Sequence, residues 1–479
     1  MKKSILIYII VVAFFTFMIG FVLEKGKSLK AESQLVISKQ IEKNNVKPKS
    51  QTEAINPNIW KQISNNIHSP LGLLLLQIIT ILLVSKIFGS MFSLFGQPSV
   101  VGEMAAGIFL GPSLIGFIFP DFSNFLFPPS SLNNLQFLSQ IGLTFFMFII
   151  GMELDINKLK NKAQSAIVIS HASIIFPYFL GVCVSYFLYE HFAPANVSFL
   201  AFSLFMGIAV SITAFPVLAR ILQERGLTKT PLGALALTCA AFDDVTAWCI
   251  LAAVIAIIKA GSITSALITI ALTIIFVLIM YYGVRPWLNK VYDKLENNDS
   301  KNKTLVIIVF FILLTSALTT ELIGIHALFG AFLAGVIMPQ KLSFKELLTG
   351  KIEDVSVLIL LPLFFALTGL RTSIGLLNNT YLWSICGLIL FVAVLGKLGG
   401  STFAAKLAGL PWKESFSIGV LMNTRGLMEL IVLNIGYDLG ILSPSIFSIM
   451  VIMALLTTFM TGPLLDLIEK RSKIKNKII

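Results

Sequence analysis

The sequence predicts an all-α polytopic membrane protein, with about 13 core transmembrane helices in inverted-topology repeats, two of them broken, plus one N-terminal hydrophobic helix. Three observations lead there. The chain of 479 residues is 56% hydrophobic and 13% charged, with a mean hydropathy of +0.88, whereas soluble domains carry roughly 25% charge. Apolar stretches of about 20 residues, long enough to cross hydrocarbon at about 1.5 Å per residue, recur between residues 70 and 469. They lack period-2 alternation, which argues against a barrel.

Residues 1–24 contain one apolar run, 4–23, behind Lys2 and Lys3. The run reads as a signal anchor or a signal peptide, and the lack of a convincing small-x-small cleavage site favours the anchor. Residues 25–69 are polar and Lys-rich with no helical apolar face, and read as a flexible linker. Residues 70–470 form the membrane domain. Helices are predicted at 70–89, 98–117, 133–152, 163–189, 196–222, 228–258, 263–288, 304–320, 324–339, 353–371, 380–405, 413–437 and 444–469. Residues 471–479 form a short basic tail.

The net charge of +12 is explained by its distribution. Alternate loops carry Lys158, Lys160 and Lys162; Arg220, Arg225 and Lys229; Arg285 through Lys303; Lys341, Lys345 and Lys351; Lys406 and Lys413; and the tail. The opposite loops hold only Lys259 and Arg371. This is the positive-inside pattern, which predicts a cytoplasmic C-terminus and requires no nucleic-acid partner. The four cysteines, Cys183, Cys239, Cys249 and Cys386, all lie in apolar segments and read as small packing residues.

The halves of the membrane domain echo each other. VVGEMAAGIFLGPSLIG in the second predicted helix matches IHALFGAFLAGVIMPQ in the ninth. FIIGMELDI ends the third, and FALTGLRTSI ends the tenth. AVSITAFPVLAR lies in the fifth, and VLMNTRGLMEL in the twelfth. An odd offset of seven helices means that paired members cross in opposite directions, the inverted repeat of many secondary transporters. The fifth and twelfth helices are the ones expected to break. Pro216 cannot donate to a carbonyl one turn back, Ser211 and Thr213 can bond the freed groups, and Asn423, Thr424, Arg425 and Gly426 interrupt an apolar helix. Paired interruptions of this kind point to a midplane ion site.

Asp243 and Asp244 stand in the middle of the sixth helix, TPLGALALTCAAFDDVTAWCILAAVIAII. Each costs about 2.5–3.5 kcal/mol at a helix centre on insertion scales. Adjacent residues point about 100° apart, so the two carboxylates serve different neighbours. Arg425 and Glu429, four apart, can pair on one face. Lys397 is then the counter-ion for one aspartate, and one carboxylate is left over. A carboxylate in low dielectric resists ionisation, and can hold a proton or a monovalent cation, but not both. If only the loaded site crosses, that competition yields exchange, with Thr213 and backbone carbonyls supplying further oxygens. Glu103 reads equally as a gate or as a helix-packing group. Glu153 and Asp155 read as interfacial, and His171 and His326 as structural. Two adjacent acids on one helix do not suit an aspartyl-protease dyad, and no P-loop motif is present, so neither enzyme nor ATP-driven chemistry is expected. The alternative that remains is a cation-coupled organic-solute symporter.

The stretches SITAFPVLARIL, AAFDDVTAW, GIHALFGAFLAGVIMP, LPLFFALTGLRT and MNTRGLMELIVLNIG together resemble the monovalent cation:proton antiporter-2 (CPA2) family, near its plant-type cation/H+ exchangers and bacterial sodium/proton antiporters. The resemblance covers roughly residues 70–470. It implies a Na+/H+ antiporter-like fold, a homodimer in which a core domain moves like an elevator, Asp244 as the ion- and proton-binding acid, and Asp243 paired with Lys397. Asp-Asp with Lys is the electrogenic pattern. It also implies transported Na+ or K+ and H+ with no cofactor. Some sodium-selective relatives place Glu two residues after the helix Arg, whereas Leu427 stands there in this chain and Glu429 follows. Glutathione-gated potassium systems add a nucleotide-binding domain. This chain ends about ten residues past its last predicted helix, so no nucleotide is expected. The Ile-, Asn- and Lys-rich composition fits a bacterial plasma membrane.

Overall fold

The computed structural model describes residues 2–26, 69–95, 97, 99–153, 163–227, 230–260, 263–295, 299–339 and 341–475. Most of the predicted linker, Lys158, Lys160, Lys162, Asp155 and the last residues of the tail lie outside the described residues. The described residues are helical and contain no strand. Helix α1 (Lys2–Gly26) precedes α2 (Pro70–Leu94), α3 (Ser99–Leu110), α4 (Leu132–Glu153), α5 (Ala163–Phe192), α6 (Phe199–Ser211), α7 (Phe215–Glu224) and α8 (Pro231–Ala260). α9 (Ile263–Leu278) runs through a π turn into α10 (Arg285–Leu295), and α11 (Asp299–Ile323) and α12 (Ala327–Val336) follow. α13 (Leu342–Val355) continues through a π turn into α14 (Leu361–Arg371). α15 (Thr380–Val394) does the same into α16 (Gly400–Leu407), before α17 (Trp412–Met422), α18 (Leu427–Asp438) and α19 (Pro444–Lys475).

Among the described residues, ten helices are long and apolar enough to cross a membrane. The pair α17 and α18, bent by 42° at its break, makes an eleventh. Each of the thirteen predicted segments contains helix. The segments at 196–222 and 324–339 fall short of a continuous span because α6 and α12 have 13 and 10 residues. In the first case the chain leaves helical geometry at Ile212. In the second, the helix begins only after the positive-φ Gly324 and the His326 cap.

The helices pack as two bundles. In one, α3 lies against α2 and α14, and α4 against α12 and α14, with α11 beside α12. Two backbone approaches draw this bundle together. A methyl on Gly107 would stand 2.5 Å from the Phe365 carbonyl oxygen, and one on Gly335 would collide with the Phe148 carbonyl. Small residues at such crossings replace the hydrophobic drive that lipid cannot supply. In the other bundle, α5 packs against α6, α8 and α16, and α18 and α15 pack against α19. α9 follows α8 out of this bundle and reaches α11. α1 lies along α5, with the Phe15 ring 5.6 Å from Phe176 and 5.1 Å from Phe179.

Candidate ion site at two crossed helix breaks

The expected interruptions are present, and they meet. α6 ends at Ser211, Ile212 is extended, and α7 begins at Phe215 with Pro216 as its second residue. A proline there lacks only an N–H that a first helical turn leaves unpaired anyway. Ser211 Oγ donates to the Gly207 and Ile208 carbonyls of its own helix, at 2.8 and 3.0 Å, so its role is to occupy acceptors at the end of α6. α17 stops at Met422, and Gly426, at φ +131°, turns the chain into α18. That backbone region disfavours any side chain.

Contacts across the two breaks hold them together. The Ala214 N–H donates to the Thr424 carbonyl at 3.1 Å. Arg425, fully buried, donates to the Ala209 and Val210 carbonyls near the end of α6. A guanidinium at a helix C-terminus offsets the partial negative charge of its unpaired carbonyls. Glu429 forms the expected pair with Arg425, with 3.3 Å between charged atoms but without hydrogen-bond geometry.

Asp243 and Lys397 form a closed pair beside this crossing, both fully buried and 2.8 Å apart. Asp243 accepts from Ser170 at one carboxylate oxygen (2.7 Å), and from Ser173 (3.0 Å), Thr213 (2.6 Å) and Lys397 at the other. Lys397 sits in the π turn Leu395–Gly399 and uses all three of its protons, on Asp243, Ser173 and Thr213. Every strong donor and acceptor of the pair is therefore matched, which is the condition for a buried ion pair to persist.

Asp244 is different. It is 1% exposed, and neither carboxylate oxygen has a hydrogen-bond partner among the described residues. The Phe215 N–H, at the start of α7, faces it without reaching hydrogen-bond geometry. The carboxylate borders a narrow crevice too tight to hold a water molecule, lined also by Ile212, Trp248, Met428 and Val432. Water cannot enter freely through such an apolar lining, and a lone buried carboxylate needs a proton or a cation to lower its cost.

The structure thus unites Asp243, Asp244, Thr213, Lys397, Arg425 and Glu429 on α8, on the π turn and at the two breaks. Thr213 serves Asp243 and Lys397, where the sequence had suggested it as an oxygen for the cation. Asn423 is 1% exposed at the same break, with no amide partner among the described residues. Glu103 lies on α3 beside Gly89 of α2, within the other bundle. His326 caps α12 and His171 contacts the Ile167 carbonyl, as expected of structural groups. All four cysteines are free thiols. The sequence reading missed Ser170 and Ser173, whose spacing of three on α5 places them on one helix face.

A family profile described as "Sodium/hydrogen exchanger, transmembrane" matches residues 79–468. The chain is 43% identical to Na(+)/H(+) antiporter NhaS4 of Synechocystis over 82% of this chain and 96% of that one. It is 40% identical to Cation/H(+) antiporter 17 of Arabidopsis thaliana and 35% identical to K(+)/H(+) antiporter 1 of Saccharomyces cerevisiae, over 87% and 84% of this chain. It spans about half the length of these two, 51% and 47%. The fold is similar to that of the sodium proton antiporter MjNhaP1 from Methanocaldococcus jannaschii, with a TM-score of 0.58 and 15% identity, over 80% of this chain and 92% of that one.

Proposed function

Because the chain belongs to the sodium/hydrogen exchanger family, we propose that it exchanges a monovalent cation for protons by alternating access, and that Asp244 is the group on which the two compete. One observation carries this reading: Asp243 and Lys397 are satisfied by each other together with Ser170, Ser173 and Thr213, which leaves Asp244 as a buried carboxylate without a partner among the described residues. Occupation by H+ neutralises it, and so does occupation by Na+ or K+. The unloaded carboxylate is the species that low dielectric penalises most, so the empty site resists crossing and the two ions are coupled. The relatives named above are antiporters by name, and the symporter alternative gains no support from them.

The two halves are related as an inverted repeat. Supporting this, α3 meets α14 and α4 meets α12 through matching glycine approaches, and α6–α7 and α17–α18 are the two interrupted pairs. Exchange is electrogenic, since the chain retains both acids and the lysine. The protein works as a homodimer in a bacterial plasma membrane with its C-terminus in the cytoplasm, α1 being retained against α5 as an anchor.

Reconstitution into liposomes containing a pH dye tests the reading. A cation gradient drives proton movement, and whichever of Na+ and K+ drives it at lower concentration is the substrate. An imposed membrane potential changes the rate. Proton movement that ignores both cations in folded protein refutes the proposal.

A further inference from the structure

We infer that Arg371, Asp438, Asn434 and Gln136 form a polar latch that closes one face of the molecule and parts in each transport cycle. The inference rests on the alternating-access reading above. Arg371 is the last residue of α14, in the first bundle, and Asp438 is the last of α18, in the second. The Arg371 guanidinium reaches Asp438 at 2.9 Å and donates to the Asn434 amide oxygen at 2.8 Å. It also lies over the Tyr437 ring, 5.3 Å from its centroid. The Asn434 amide nitrogen returns to Thr368 on α14 at 2.8 Å, and Gln136 on α4 donates to the second Asp438 oxygen at 3.1 Å. Just beyond α14, the Ser373 N–H donates to Ser448 on α19 at 2.9 Å. These contacts all tie one bundle to the other, and they gather at a single end.

The opposite end is built differently. α19 runs from Ser448 at the latch end to Asp466, where Arg225 pairs with it at 2.7 Å, and that pair joins α7 to α19 inside the second bundle. Among the described residues, the Arg225–Asp466 pair holds a bundle to itself, and the Arg371 and Gln136 contacts hold the bundles together.

For Asp244 to meet solution on the latch side, the second bundle has to move against the first, and α18 has to carry Asp438 away from Arg371 and Gln136. The chemistry suits a contact that opens repeatedly. The Asp438 side chain is 34% exposed, so water replaces its partners at little cost, while the Arg371 fork gives the closed state a defined geometry.

The experiment joins the bundles covalently. With the four native cysteines replaced, Gln136→Cys is combined with Asp438→Cys, and as a second pair Arg371→Cys with Asn434→Cys, in full-length protein in liposomes. A short bis-methanethiosulfonate reagent links each pair, and mass spectrometry verifies the link. We expect linking to lower cation-dependent proton exchange at least tenfold and reduction to restore it. Linked protein that exchanges as fast as reduced protein overturns the latch. If wild-type and reduced protein both fail to exchange, it is the antiport reading that falls. The latch is then judged by an impermeant maleimide on the Asp438→Cys thiol: a labelling rate that changes at least threefold with cation supports it, and an unchanged rate overturns it.

Discussion

Replacing Lys397 with alanine removes the cation paired with Asp243 and leaves its carboxylate, among the described residues, to Ser170, Ser173 and Thr213. Breaking a buried pair from one side costs about 3–5 kcal/mol, because the surviving charge stays buried. Three hydroxyl donors remain, which places Lys397→Ala towards the lower end, about 3 kcal/mol. Removing both charges, as in Asp243→Asn with Lys397→Ala, leaves no orphaned charge, so the second substitution relieves part of the cost of the first. The double variant should therefore be more stable than Lys397→Ala, with a coupling energy of about 2–3 kcal/mol, the sign expected of directly contacting groups. At roughly 2 cal/mol/K of unfolding entropy per residue, 3 kcal/mol over a domain of this size lowers the melting temperature by about 4 °C. The assay is thermal unfolding of purified protein in detergent with lipid, followed by size-exclusion fluorescence, for wild type, both single variants and the double. Lys397→Ala melting within about 1 °C of wild type, or a double variant less stable than the sum of the singles, would refute the closed-pair argument.

Other parts of the site make separate demands. Gly426→Ala forces a side chain into φ +131° with its Cβ 3.2 Å from Val217; a strained backbone of this kind costs about 1–3 kcal/mol, and folded yield and exchange rate should both fall. Arg425→Ala leaves the Ala209 and Val210 carbonyls and the Glu429 carboxylate without their cation, and should reduce detergent-stable protein more than Arg425→Lys does. Competition at one carboxylate fixes the sign of the pH dependence. Where the proton-loaded form dominates, each unit of falling pH should raise the apparent cation KM up to tenfold, with a plateau at higher pH, as liposome assays over a cation series can measure.

The membrane architecture was legible because hydrocarbon leaves few options. Long apolar runs mark where the helices lie, though the segments at 196–222 and 324–339 fall short of continuous spans, and Pro216 and the Asn423–Gly426 run mark both breaks. Asp243, Asp244 and Lys397 stood out for the same reason, since a charge in an apolar helix is too costly to be incidental. Which aspartate took the lysine was another matter. Adjacency shows only that two side chains face apart; the family resemblance pointed to Asp243, and the crossing of α5, α8 and the π turn brings Lys397 to that carboxylate. Ser170 and Ser173 were hidden because serine is common in packed membrane helices. At the π turn Leu395–Gly399, which presents Lys397, Gly396 lies so near Pro177 that an added methyl would come within 2.6 Å, a contact between distant segments that no local pattern marks. The latch at Arg371 joins segments far apart in sequence, and no local pattern announces such a meeting.

In the proposed exchange, proton and cation share Asp244. Asp244→Asn keeps the shape of the side chain and removes its charge, so the protein should purify as a folded species with the Asp243–Lys397 pair undisturbed. In liposomes with an internal pH dye, cation-driven proton movement should disappear in this variant while wild type retains it under the same gradient. Exchange persisting in Asp244→Asn at the wild-type rate and ion preference would place the coupling site elsewhere and rule out Asp244 as the shared carboxylate.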